Sequence, residues 1–268
     1  LCTAEDADAI RQRLAQLKPR HVLYCGPAAH WSWQDGPSSL LDPRTVDAAA
    51  AWARAAVEQH CRLTVVSSDA IFTGPWMFHR EESGCLCESV QARTIRAIEQ
   101  AVHRQCSEAL LIRTSAFGWT PKAIGTGWIE TALAALERGT ARDYDCLRHA
   151  TPILASDLAA VLEAAWRKKL TGTYHVAGAE RSNPARFVAA LATEFGLPVP
   201  EPRIIARVSE RPVGFGRGET SLHTTRIRRA LGVALPMLAD GLKRLHEQDR
   251  GGRRDRLNAP AAVKEKVA

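Results

Sequence analysis

The chain has 268 residues, of which 46% are hydrophobic and 24% charged, and it carries a formal net charge of +7. This length suffices for one large α/β domain, or for a large domain with a small lobe. The composition is ordinary for a globular protein. No apolar run is long enough to cross a bilayer and no secretion signal opens the sequence, so we expect a cytoplasmic protein without a membrane partner.

Helices and strands alternate in the first half of the predicted structure. Ile10, Leu14 and Leu17 recur at three- and four-residue steps, which predicts a helix over residues 5–18. The pattern that follows predicts, in chain order, a strand at 21–25, a helix at 43–60, a strand at 63–67, a helix at 89–105 and a strand at 109–113. This alternation is typical of a parallel sheet wrapped by helices, whose ligands bind beyond the carboxyl ends of the strands.

In the second half of the chain the predicted helices and strands alternate less regularly. The pattern predicts helices at 127–138 and 156–167, a strand at 173–177, a helix at 183–195 and short helices at 224–231 and 236–246. Residues 198–220 are rich in Pro, Gly and Arg. We expect this stretch to form loops around a site.

More than half of the net positive charge lies in the last 19 residues of the chain. Residues 250–268 contain six Lys or Arg against two Asp or Glu, a net charge of +4, so the preceding 249 residues carry +3. Two glycines, a proline and several alanines in this stretch favour a flexible basic tail over a polyanion-binding arm. Nucleic acid is therefore not an expected partner.

Seven cysteines are spaced irregularly along the chain. An odd number without a secretion signal favours reduced thiols over a disulfide framework. Cys85 and Cys87 form a C-x-C pair near His79, but a single such pair is a weak zinc signal. We expect no metal site.

A glycine-rich turn of the kind that holds a dinucleotide is missing where it would be expected. Such a site normally opens with a strand, a turn with two or three glycines, and a helix whose N-terminus binds the pyrophosphate. No such turn precedes the first predicted strand. Gly214, Gly216 and Gly218 occur late, between proline-containing loops, and are interpreted as a flexible loop rather than a nucleotide cradle.

Several short motifs occur in an order that is typical of one enzyme family. The stretch S-S-D-A-I-F-T-G at residues 67–74 is similar to the family pattern S-T-D-x-V-F-x-G. Further matching stretches lie at 111–115, 151–159, 172–178, 186–192, 211–212 and 231–232. In this order and spacing the chain resembles the extended short-chain dehydrogenase/reductase superfamily, closest to the dTDP-4-dehydrorhamnose reductase group of sugar-nucleotide reductases. The resemblance begins after the first two strands of the family, which would place the glycine-rich turn upstream of Leu1.

The resemblance implies an architecture and a reaction. The fold expected is α/β: a partial, Rossmann-like doubly wound parallel sheet over residues 1–150, without the first strands and the glycine-rich turn. A small C-terminal α/β substrate-binding lobe, interleaved with it, would occupy mainly residues 151–249, followed by the tail at 250–268. In the family, hydride passes from NAD(P)H to a carbonyl while a tyrosine, its pKa lowered by a lysine, gives the proton. We expect NAD(P) as cofactor only if a glycine-rich motif lies upstream, and otherwise none.

The tyrosine and lysine of that reaction are replaced in this chain. Alignment on Glu99 places Gln91 at the tyrosine position and Ile95 at the lysine position, with Thr94 retained. Glutamine cannot release a proton at useful pH, and isoleucine supplies no charge. Sliding the register does not help, because the three tyrosines of the sequence lie at 24, 144 and 174 and no lysine lies between 18 and 122. Cys85, Cys87 and Glu88 have no partner in the sequence that would tune a replacement acid.

The remaining candidate site residues lie mostly at predicted strand ends. Ser68 stands at the catalytic Ser/Thr position and binds a substrate carbonyl, or else it caps the loop. The candidates for cofactor binding are Cys25, Gly26, Ala28 and Ser67. The candidates for substrate binding are His30, Asp69, Phe72, Arg113, Thr114, Ser115, Arg211 and Arg217.

Alternatives stay open for several of these side chains. His30, Trp31 and Trp33 either stack on a ligand or pack under their loop. Arg113 either contacts a ligand or pairs with a carboxylate, and Arg211 with Arg217 either clamps a diphosphate or lies solvated, the clamp being slightly favoured. His175 is expected to be a core histidine.

The leading hypothesis is a catalytically degenerate member of this group. It would serve as a nucleotide-sugar-binding, regulatory or structural subunit, with a protein partner or in a larger assembly. The alternative is an active NAD(P)-dependent reductase or epimerase whose cofactor motif lies upstream of Leu1.

Overall fold

Four parallel strands form the central sheet. The computed structural model describes residues 6–34, 37–140, 144–201 and 215–258. The sheet has the order β1-β2-β3-β6, and all its pairings are parallel. The strands are β1 (His21–Tyr24), β2 (Arg62–Ser68), β3 (Leu110–Thr114) and β6 (Gly172–His175). A second parallel pair, β4 (Ala116–Phe117) with β5 (Ile153–Leu154), continues from the end of β3. The carboxyl ends of β1, β2 and β3 therefore meet at one edge.

Nine helices surround the two sheets in the described part of the chain. They are α1 (Ala7–Leu17), α2 (Arg44–Glu58), α3 (Val90–Gln105), α4 (Trp128–Glu137), α5 (Ala155–Arg167), α6 (Pro184–Glu194), α7 (Thr225–Leu231), α8 (Leu238–Arg250) and α9 (Arg253–Asn258). Side-chain caps fix several of their starts: Asp6, Ser89 and Asn183 accept backbone N–H bonds from the first turns of α1, α3 and α6. Gly232, in a left-handed conformation, ends α7.

The core has three parts, two of which lie on opposite faces of the central sheet. One packs Leu63, Val65 and Leu111 of the sheet against α1, α2 and α3. A second, on the other face, packs Val66 and Ile112 against α5 and α7. The third is rich in aromatic side chains and lies around α4, α6 and α8. Both faces of β2 and β3 are thus buried, which explains why these strands read as continuous apolar runs.

The predicted α/β fold with a parallel sheet is confirmed. Each predicted helix and strand is present, with ends that differ by four residues or fewer. The two-residue strands β4 and β5 were not predicted, because two residues are too few to show an alternating pattern. In the described residues no helix is long and apolar enough to span a membrane.

The start of the expected flexible tail is ordered. Residues 253–258 form α9, whose Asn258 side chain accepts a hydrogen bond from the backbone N–H of Lys122 at 2.7 Å. The Arg254 guanidinium lies 5.3 Å from the centre of the Trp119 ring. The tail prediction is therefore wrong for residues 253–258, which form a helix in contact with Trp119 and Lys122. The rest of the predicted tail, 259–268, lies outside the described residues.

Candidate functional site

A cavity of about 270 Å³ lies where β1, β2 and β3 end. The strands and the loop after β1 supply one side, and alanine and leucine side chains of α5 supply the other. Cys25, His30 and Thr114, predicted as site residues in two separate stretches of the sequence, all line this cavity. The other lining residues are mostly apolar: Leu23, Ala29, Trp31, Val66, Ala116, Ala155, Leu158, Ala159 and Leu162. The predicted location of the site, at the carboxyl ends of the strands, thus coincides with a real cavity.

Two buried polar atoms belong to residues that line the cavity. The hydroxyl Oγ1 of Thr114 and the indole Nε1 of Trp31 are buried and have no hydrogen-bond partner among the described residues. Buried polar groups are rarely left unpaired in folded proteins. Both atoms are closed off from the cavity surface, so a ligand acceptor would reach them only after a side-chain rotation. The cavity surface itself is mostly apolar, which suits a flat ring.

Asp69 lies directly behind this edge of the sheet and is completely buried. Its Oδ2 accepts hydrogen bonds from Ser32 Oγ at 2.7 Å and from Thr220 Oγ1 at 2.8 Å. Burial raises the pKa of this carboxyl to about 6, and the hydroxyls of Ser32, Thr220, Ser115 and Ser68 oppose that rise. Asp69 therefore connects the loop after β1, the end of β2 and the segment before α7.

Ser68 takes the capping role of its two predicted alternatives. It is buried, and its Oγ donates to the backbone oxygen of His30 at 2.6 Å. The same oxygen accepts from the backbone N–H of Ala70 at 3.0 Å. The hydroxyl thus fixes the loop that carries His30 and does not line the cavity.

Ser67 and Arg113 lie on the opposite face of the sheet from the cavity. Arg113 forms a two-point ion pair with Glu99 of α3, with N–O distances of 3.0 and 2.8 Å, and Ser67 Oγ donates to the same carboxylate at 2.6 Å. The Arg113 guanidinium also donates to the backbone oxygen of Glu81 and lies 5.4 Å from the Phe72 ring centre. Successive side chains of a strand point to opposite faces, so these residues cannot share the cavity with Thr114. Of the two predicted roles for Arg113, the structure contains the pairing with a carboxylate.

The positions of the missing tyrosine and lysine lie on α3, as the resemblance implied. Gln91 is half-buried in its first turn, and Ile95 is 0% exposed in the core between α3 and the sheet. The helix itself is intact, with Thr94 Oγ1 donating to the backbone oxygen of Val90. Tyr24, Tyr144 and Tyr174 all lie outside α3.

The other predicted site residues lie in different surroundings. Gly26 lies against the folded-back ring of Tyr24, where an added Cβ would come within 2.4 Å of the phenol. Ala28 is buried in the core beside the sheet, and Arg217 is exposed, with its backbone oxygen accepting from Thr73. Arg211 lies outside the described residues, so the proposed arginine clamp is not tested.

His175, Trp31 and Trp33 are all buried by packing. His175 is a buried core residue as predicted: its Nδ1 lies 3.0 Å from the backbone oxygen of His79, and burial together with Arg113 lowers its pKa to about 3. Trp31 and Trp33 pack against each other at 4.9 Å and against Phe187. No group of three or more metal-binding side chains occurs within the described ranges.

Ser32 and Thr220 were missed by sequence reasoning. They are 188 residues apart, and their hydroxyls come within 3.3 Å of each other only through the fold. Neither lies in a motif that would mark it as a partner of Asp69. A serine between two tryptophans was a faint signal of a fixed, buried loop, but it did not identify the partner.

The comparison with known proteins agrees with this geometry. The family model of the RmlD substrate binding domain matches residues 2–250. The dTDP-4-dehydrorhamnose reductase of Bacillus anthracis, solved with NADP, superposes with a TM-score of 0.77 at 15% identity, covering 91% of this chain and 86% of that one. The Clostridium acetobutylicum reductase gives 0.77 at 17% identity, covering 92% and 86%. WbmG of Bordetella bronchiseptica, solved with NAD and UDP, gives 0.72 at 17%, covering 96% and 82%.

These likenesses define the class of protein: a Rossmann-like α/β fold of the extended reductase type. The chain belongs to the RmlD substrate binding domain family, which confirms the resemblance to the dTDP-4-dehydrorhamnose reductase group. At identities of 15–17% the structural matches establish the fold alone. No curated protein sequence matches the chain.

The raised pKa of Asp69 predicts an unusual pH dependence of stability. Because the folded-state pKa is about 6 and the ordinary value is 3.8, the contribution of this carboxyl is full below 3.8 and is lost as pH rises through 6. We expect the free energy of unfolding of the native chain, relative to Asp69→Asn, to increase as pH falls from 7.5 to 4.5, measured by urea denaturation. A difference between the native chain and Asp69→Asn that stays flat over this pH range would contradict the assignment.

The ion pair between Glu99 and Arg113 predicts a strongly coupled double-mutant cycle. Removing one partner leaves a buried charge, so Glu99→Gln and Arg113→Met should each lower the free energy of unfolding by about 3–5 kcal/mol. The double variant should recover part of that loss, because no uncompensated charge remains. Urea unfolding of the four proteins measures the coupling. The exposed pair of Arg167 and Glu163 is the matched control, with expected coupling of about 0.5 kcal/mol or less; equal coupling in both cycles would refute the special role of the buried pair.

Proposed function

We propose that this chain is a catalytically degenerate, nucleotide-sugar-binding protein on the scaffold of a sugar-nucleotide reductase, serving as a regulatory or structural subunit. The observation that carries the proposal is the environment of Ile95. This residue holds the position of the lysine and is enclosed at 0% exposure by apolar side chains. A replacement cation has no place there without burying an unpaired charge.

The proposed loss of reductase activity follows from the side chains at the tyrosine and lysine positions. A phenol with a pKa near 10 needs a neighbouring cation to act as an acid at neutral pH. Gln91 has no acidic proton to give, and Ile95 has no charge to lower a pKa. Losing a positioned acid costs about 10²–10⁴ in rate. Ser68, the third residue of the catalytic set implied by the resemblance, donates its hydroxyl hydrogen to the backbone oxygen of His30.

Retention of binding is supported by the cavity beside Thr114. Its volume of about 270 Å³ suits one ring of a nucleotide sugar, with the other groups outside. The walls are apolar, and Thr114 and Trp31 each have a buried, unpaired donor that a side-chain rotation would turn toward a ligand acceptor. Uracil and thymine are flat and carry two carbonyl oxygens, which makes the base of a pyrimidine nucleotide the ring that fits this chemistry best.

Residues near the cavity would hold NAD(P) only in part. Cys25 and His30 line the cavity at the strand ends, where a dinucleotide would pass. The described residues before β1 form α1, not a glycine-rich turn.

The second candidate function, an active NAD(P)-dependent reductase or epimerase, is favoured by the intact α3 and by the retained turn of Ser68 and Asp69.

The binding proposal is tested by calorimetric titration of the full chain with UDP, dTDP and dTDP-glucose. We expect Thr114→Val to weaken the affinity roughly 5- to 10-fold, because the substitution removes one hydrogen bond of about 1 kcal/mol. Thr131→Val is the control, since the Thr131 hydroxyl donates to the backbone of its own helix. Equal affinities for the two variants would exclude this cavity as the site, and tight NADPH binding would favour the second candidate.

The proposed absence of reductase activity is tested by following NADPH oxidation with a 4-keto sugar nucleotide as substrate. We expect no rate above the protein-free background, and no change in Gln91→Ala. Turnover by the native chain that survives Gln91→Ala would refute the proposal, because it would require an acid elsewhere in the protein.

A further inference from the structure

An exposed apolar segment follows the turn at Gly74. Trp76, Met77 and Phe78 are consecutive in sequence and 68%, 59% and 39% exposed. Single exposed apolar residues are common, whereas three adjacent large ones form a patch that usually has a partner. This segment does not contribute to the cavity beside Thr114.

The segment is presented from a fixed point. His79 follows it directly and is buried, with its ring stacked on Phe72 at 4.7 Å. The backbone N–H of His79 donates to Ser221 at 2.7 Å, and its backbone oxygen accepts from His223 at 2.8 Å. The three exposed residues therefore leave the protein body at an anchored position instead of from a loose loop.

Phe78 is held in a strained conformation. Its φ of +56° lies in the left-handed region, which is unfavourable for an aromatic residue. The conformation is supported by a hydrogen bond from its backbone N–H to Ser221 Oγ at 2.8 Å. Strain of this kind persists where surrounding contacts impose it, and it occurs often at binding sites.

Arginines lie directly beside the segment. A groove of about 400 Å³ along Trp76, Met77 and Phe78 shares Arg80 and Glu82 with a second groove of about 530 Å³, which Arg226 and Arg229 of α7 also line. We call the six residues Trp76, Met77, Phe78, Arg80, Arg226 and Arg229 the aromatic–arginine surface. Trp and Arg are the residue types that most often dominate binding energy at interfaces.

The charge of this surface is positive. Neither Arg80 nor Arg229 has a carboxylate within ion-pair distance in the part of the chain that the structure describes. Arg226 lies 3.8 Å from the exposed carboxylate of Glu82. The other acid of the groove, Glu81, turns inward and accepts a hydrogen bond from the backbone of His175 at 3.0 Å. Three guanidinium groups thus face one exposed carboxylate.

We propose that the aromatic–arginine surface docks a segment of a partner protein that carries large apolar side chains next to Asp or Glu residues. The apolar and cationic parts adjoin along the surface and do not enclose one cavity, which fits an extended or helical segment better than a small molecule. Apolar partner side chains pack on Trp76, Met77 and Phe78, while carboxylates pair with the arginines. The inference is independent of nucleotide binding, because the two sites share no residue.

The test is an unbiased selection of random 12-residue peptides displayed on phage against the full chain, with the Trp76→Ala/Met77→Ala variant for counter-selection. We expect the enriched peptides to combine large apolar residues with at least two carboxylates. Fluorescein-labelled copies, measured by anisotropy, should bind at least 10-fold more weakly to Trp76→Ala/Met77→Ala and to Arg226→Glu/Arg229→Glu. Rising salt should weaken binding to the native chain.

Two matched variants control for unspecific effects. Ile124→Ala removes an apolar side chain that is exposed elsewhere, and Arg228→Glu reverses an exposed charge on α7 outside the groove. Both should bind like the native chain, and circular dichroism should show all variants folded. Failure to enrich peptides, enrichment of basic or neutral ones, or equal binding by the surface variants would overturn the proposal. So would displacement of the peptides by UDP, or a self-association in sedimentation velocity that Trp76→Ala/Met77→Ala abolishes.

Discussion

The carboxylate of Asp69 is the interaction on which the arrangement of the candidate site depends. An ionised carboxylate without partners is very costly to bury, and here the hydroxyls of Ser32 and Thr220 offset part of that cost. These hydroxyls come from the loop after β1 and from the segment before α7. The loop that carries His30 and Trp31 is thereby fixed against the end of β2, and the cavity has defined walls because its loop has a buried anchor.

The alternation of side chains along β2 and β3 divides the polar residues of this edge between two tasks. Val66 and Thr114 face α5 and line the cavity, whereas Ser67 and Arg113 face α3 and form a buried ion-pair network with Glu99. Residues that look like one site in sequence therefore line a cavity on one face of the sheet and join the sheet to α3 on the other. The face toward α3 also holds that helix in place through Glu99. Gln91 and Ile95 lie on it, at the positions to which the resemblance assigns the tyrosine and lysine.

Structural features that depend on residues close together in sequence could be predicted, whereas contacts between residues far apart in sequence could not. Helices and strands were predictable because apolar spacing is local, as for Ile10 and Leu14 of α1. The strand ends also placed Cys25, His30 and Thr114 at one edge of the sheet, where they line one cavity; their predicted binding roles stay predictions. The choice of Arg113 between a ligand and a carboxylate was not predictable, since it depends on which strand face meets Glu99. The hydroxyl partners of Asp69 were also out of reach, because Thr220 lies 151 residues away and no local pattern marks it.

The order of the strands has a consequence for how the chain folds. In the central sheet β1 pairs with β2, β2 with β3 and β3 with β6, so β2 and β3 each join the strand that precedes them in sequence. Closing short loops costs less entropy than closing long ones, and such a sheet can grow from the N-terminal side while later residues are still being synthesised. The bond from Thr220 to Asp69 forms only when the last third of the chain arrives. Until then the Asp69 carboxylate lacks one of its two close hydroxyl partners.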